Sequence, residues 1–182
     1  MNKPLLIKIA VGIVALAAFA LLFMRSIEDT RSEAYTVDRA HLQSWTLALE
    51  QATRPNDPLL VLRPMPELAS SIFKQIFARA MESLNSPASP SIPVVLRGEF
   101  DRVVGDQLDQ DGLLAAAKAA GIEASAPSPR CLVHRRISEP GGVRQAYLIF
   151  FDAPAILQLR KQLGLESDSL SPIMIVARAR LR

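Results

Sequence analysis

Cysteine is nearly absent. The single thiol, Cys131, in 182 residues leaves no intrachain disulfide to form, which excludes the small disulfide-stapled scaffolds of secreted proteins. Histidine is almost as scarce. His41 and His134 stand far apart, and neither has a second ligand three or four residues on, so no local zinc site is written here. Cys131 lies three residues before His134, a spacing that points the two to opposite faces of a strand and argues against a local Cys–His nucleophile. No serine sits in a G-x-S-x-G turn, and no glycine-rich loop has the spacing of a phosphate cradle. The sequence recommends no enzyme, no cofactor and no metal.

A field of one sign is also missing. The net charge is +3, but Lys3 and Lys8 precede the bulk of the chain. From Arg25 onward 19 basic residues face 18 acidic ones, a near balance that gives no reason to expect nucleic acid. The acids Glu99, Asp101, Asp106, Asp109 and Asp111 do cluster, and Gln107-x-Asp109-x-Asp111-Gly112 has the outline of a calcium loop. Glutamine occupies the first ligand position and Lys118 the place of the closing glutamate, so capping and solvated charge are expected instead.

What the chain does have is one long apolar run. Leu5 to Met24 reads LLIKIAVGIVALAAFALLFM, with Lys8 its only charge. Twenty helical residues span roughly 30 Å, the thickness of a bilayer's hydrocarbon core, and Lys8 can reach back to the headgroups along its own stem. Ala18-Phe19-Ala20 has the small residues of a signal cleavage site, but the run continues through Leu21, Leu22, Phe23 and Met24. An uncleaved signal-anchor is therefore expected. Lys3, Lys8 and the terminal amine favour the N-terminus inside, against Arg25 and Arg31 on the far flank. The divisions that follow are a cytoplasmic start (1–4), a transmembrane helix (5–24), a polar stalk (25–34), a strand–helix lobe (35–91) and a larger core (92–182).

Periodicity fills in the last two. Tyr35 to Val37 suits a short strand, and Ser44 to Glu50 alternates, with Trp45, Leu47 and Leu49 on one side. Arg54 to Pro58 is a turn and Leu59 to Leu62 an apolar run. Pro66 with Glu67 starts a helix whose stripe of Leu68, Ile72, Ile76, Ala80 and Leu84 runs to about Leu84. Next come a strand at 92–96, a helix at 110–120 capped by Asp109 and stopped by Gly121, and strands at 130–137 and 143–151 around Pro140-Gly141-Gly142. A helix capped by Asp152 and stopped by Gly164 leads to a strand at 172–177. The order is β-α-β-β-α-β, the split or ferredoxin-like arrangement of an α+β domain. Its expected core holds Ile72, Ile76, Leu114, Val133, Leu148, Phe150, Ile156 and Ile175, with Cys131 buried beside Val133 and Ile137. A faint echo links 59–75 to 147–162: apolar strand, short proline-bearing turn, amphipathic helix.

The functional expectation follows from tether plus fold. Periplasmic assembly components of secretion and pilus machines share this order behind a single anchor, an analogy of architecture only. The reading is a non-catalytic scaffold or assembly subunit of a bacterial cell-envelope complex. It would sit in the inner membrane by residues 5–24, and its extracytoplasmic domain would contact other envelope proteins. A sheet edge also suits self-association as a homo-oligomer. The alternative is a tethered domain that binds an anionic small molecule or lipid headgroup. Arg135, Arg136 and Arg144 flank the hairpin, Arg178 stands on a neighbouring strand, and facing arginines can hold a carboxylate or phosphate.

Overall fold

The computed structural model describes residues 3–32, 34–80, 83–139, 142–166 and 169–181. Two compact units divide the chain between Tyr35 and Thr36.

The first unit is one helix, α1 (Lys3–Ser32). It takes in most of the segment expected as a stalk, because Ser26 to Ser32 contains neither glycine nor proline to stop a helix already propagating. Its described side chains, residues 11–26, are all exposed. Among the described residues no helix is long and apolar enough to cross a membrane.

The second unit is α+β. No strand forms at Tyr35–Val37; Asp38 instead caps a 3-10 turn at Arg39–Leu42 by accepting from the Ala40 N–H at 2.9 Å. Strand β1 (Trp45–Leu49) and β2 (Pro58–Pro64) follow. Helix α2 (Pro66–Arg79) starts on its proline but stops short of Leu84, with Ala80 already extended. Leu84 is buried all the same, because Asn85 bridges backbone to backbone with Arg178.

Strand β3 (Ile92–Leu96) runs straight into a single turn, α3 (Arg97–Glu99), and a π-helical turn at Phe100–Val104. Helix α4 (Gln110–Ala119) is capped as expected, Asp109 Oδ1 accepting from the Gly112 N–H at 2.7 Å. Strands β4 (Ser128–Glu139) and β5 (Gly142–Asp152) pair antiparallel along their whole length, and the Pro140-Gly141 tip lies outside the described residues. Helix α5 (Pro154–Gln162) begins on Pro154 after Ala153, with no side-chain cap, so the expected Asp152 cap is replaced by a proline start. Gly121 and Gly164, at φ of +69° and +72°, end α4 and α5 in the left-handed conformation. Strand β6 (Ile173–Leu181) closes the fold.

The strands do not form one ferredoxin-like sheet. There are two antiparallel three-stranded sheets, β1-β2-β3 and β4-β5-β6. Strand β3 pairs with β2, and β6 takes the place beside β5. Each sheet is the same ββαβ unit with its second strand central, so the echo of 59–75 in 147–162 extends to the whole pattern. The helices are exchanged: α2 packs against β6, and α5 against β3. Trp45 of β1 meets Phe151 of β5 edge-on at 5.6 Å. A single core cluster runs through both ββαβ halves of this second unit, from Trp45 to Ala179.

Of the expected core, Ile72, Ile76 and Ile156 are buried in that common cluster and Leu114 packs half-buried against it. Ile149 and Phe151 face the common cluster, while Leu148, Phe150 and Ile175 turn to the sheet's other face, where Leu148 is buried as expected and Phe150 and Ile175 are half-buried. Four successive apolar residues, Leu148 to Phe151, carry no alternation to say which pair goes inward. Val133 (37% exposed) and Cys131 are corrected, since both lie on that outer face and both are exposed.

Candidate functional site

Register settles which arginines meet. Arg135 and Arg178 both oppose Ala146, from β4 and β6, and Arg144 opposes Arg180 one row further on. Backbones two strands apart are roughly 10 Å from each other, a gap that long side chains can close. Arg135, Arg144 and Arg178 thus share the outer face of the second sheet, all exposed. Arg136 does not join them, because side chains alternate along a strand. It lies on the core-side face with His134, whose ring stacks on Tyr147 at 4.4 Å and whose Nε2 is 2.6 Å from Gln145 Oε1. His134 is therefore tied to an aromatic and an amide.

The outer face changes character along its strands. Beyond the arginines come Val133, Leu148, Phe150, Ile173 and Ile175; its only acid among the described side chains, Asp152, is at the far end. Part of the apolar half is covered by the proline-bearing loop before β3. Between that loop, the start of β2, the end of β3 and the sheet lies a cleft of about 640 Å³. Leu148, Ile173, Ile175, Pro93 and Leu96 are in its wall, and so is Arg178. Asp57, also in the wall, is engaged by its own loop. It accepts from the Arg54 and Thr53 N–H groups at 2.9 and 3.2 Å, and the Arg54 N–H foremost holds its carboxyl below the ordinary value against the effect of burial.

A second charged constellation was hidden in the acidic cluster. Arg160, fully buried on α5, donates to both oxygens of Glu99, at 3.0 and 2.6 Å, and to the backbone carbonyls of Val94 and Glu166, each at 2.9 Å. Glu99 also accepts from the Leu96 N–H at 2.9 Å and from the Ser169 hydroxyl at 3.2 Å. Burial pushes the Glu99 carboxyl up, but Arg160, the Leu96 N–H and Ser169 together hold it below the ordinary 4.5. A small cleft of about 340 Å³ opens beside Glu99 and Ser169. A hydroxyl on a carboxylate there has the outline of a nucleophile and its base. A carboxylate held as an anion by a guanidinium is a weak base, however, and the group acts as a clamp joining β3, α3, α5 and the loop after it. The signal was legible. Arg160 stands four residues after Ile156 on the buried stripe of α5, where a charge needs a partner.

Two other acids of the cluster are engaged locally: Asp101 pairs with Arg97 at 2.9 Å and Asp109 caps α4. Among the described residues no three His, Cys, Asp or Glu side chains are grouped to hold a metal ion. No protein family, curated protein or solved structure matches the chain.

Proposed function

We propose that the protein is a single-pass, membrane-anchored and non-catalytic subunit of a bacterial cell-envelope complex. Helix α1 anchors it with the N-terminus inside, and the α+β unit works outside the cytoplasm through contacts with other proteins. One observation carries the reading: every described side chain of α1, from Val11 to Ser26, is exposed, and most are apolar. Lipid satisfies such a surface and water does not. In sequence the apolar run reaches back to Leu5. The outer face of the second sheet and the exposed strand β4 supply the interaction surface. Protease added to intact spheroplasts should digest the α+β unit, and crosslinking from intact membranes should capture discrete envelope partners. A protected full-length chain would overturn the topology, and a chain that crosslinks to nothing would overturn the scaffold.

A second reading, binding of an anion, is favoured by the shared face of Arg135, Arg144 and Arg178. Replacing all three with glutamine should abolish binding of inorganic phosphate, followed by NMR of the arginine side chains. Arg136→Gln, on the other face, should leave it intact. Equal binding by both variants would remove this reading.

A further inference from the structure

We infer that the 640 Å³ cleft takes a single-chain amphiphilic carboxylate, its acyl chain along Leu148, Ile173 and Ile175 and its head on Arg178. The inference rests on the anion-binding reading and adds the ligand's class to it. Its volume lies in the range of small-molecule sites, about 300–1,000 Å³, and suits one chain better than a two-chain lipid. The wall is largely carbon, and the prolines in it offer no backbone N–H to a ligand. Hydrocarbon is what such a wall desolvates at least cost.

Charge then selects the head. Arg178 is in the wall and Arg135 and Arg144 are on the same face, so a carboxylate entering from that end meets guanidinium forks that can bind it through paired N–H groups. Asp57 acts in the opposite sense. Held ionised by its own loop, it repels a carboxylate from its part of the wall and so orients the ligand. A neutral amphiphile of equal length gains the apolar contacts but not the head.

The test is photolabelling of the full chain in phosphatidylcholine nanodiscs with palmitic acid carrying a diazirine on its chain. We expect adducts on β5 and β6 peptides containing Leu148, Ile173 and Ile175. Their yield should fall at least tenfold in Arg178→Glu and with the diazirine-bearing palmityl alcohol, and be unchanged in Arg136→Glu. Ile173→Glu should abolish the adducts while leaving phosphate binding at the arginines intact, which separates a blocked cleft from a lost anion site. Far-UV circular dichroism verifies that each variant is folded. Adducts confined to residues 5–24, or cleft adducts equally strong with acid and alcohol, would overturn the inference. If phosphate still binds in that case, the cleft assignment alone has failed; if it does not, the anion reading has failed with it.

Discussion

At the scale of single residues the buried Arg160–Glu99 pair dominates. Removing one partner of a buried ion pair strands the other, which costs about 3–5 kcal/mol. Arg160→Met should therefore lower stability by about that amount, read as a fall in the urea midpoint, because it takes the guanidinium from the Glu99 carboxylate and from the Val94 and Glu166 carbonyls. The pair also makes stability depend on pH. The folded Glu99 pKa is depressed below 4.5, so its contribution is complete above that value and is lost as pH falls through the folded pKa. Glu99→Gln should be less stable than the wild type at pH 7, and the difference should shrink in the acid range. A difference that stays constant from pH 7 down to 3 would contradict the assignment.

At the scale of elements, local chemistry was readable and partnership was not. The Asp109 cap, the Gly121 and Gly164 stops and the β4–β5 hairpin each depend on a few adjacent residues, and each stands where the sequence sets it. Asp109→Ala should cost about 1 kcal/mol, measurable as a lowered Tm with the fold retained. The pairing of β3 with β2 is a choice between apolar strands of similar composition, and nothing local decides it. The same holds for the faces of β5, where Leu148-Ile-Phe-Phe151 has no alternation. The candidate site inherits this limit. Arg135, Arg144 and Arg178 were found in sequence, but Arg136 could be separated from them only by register, and the cleft beside Arg178 arises from segments up to about 120 residues apart, Asn56 to Arg178.

At the scale of the molecule, the exchange of helices between the two ββαβ units governs behaviour. With α2 against β6 and α5 against β3, neither unit can bury its core face alone, and Trp45 would lose Phe151. Fragments 36–126 and 127–182, which keep each three-stranded sheet whole, should each lack a cooperative melting transition when expressed separately. A cooperative transition in either fragment would show that the exchange is not required.

The Arg160 clamp bears on time as well as on stability. It joins residues 61 apart and touches β3, α3, α5 and the loop carrying Glu166 and Ser169, so it can close only after the two units have docked. Interactions completed that late are absent from the folding transition state and show themselves in the escape from the native state. Arg160→Met should steepen the loss of native protein by raising the unfolding rate, with the refolding limb of the chevron nearly unmoved. The clamp is then a latch on the lifetime of the folded domain, which matters most where no chaperone stands by to refold it.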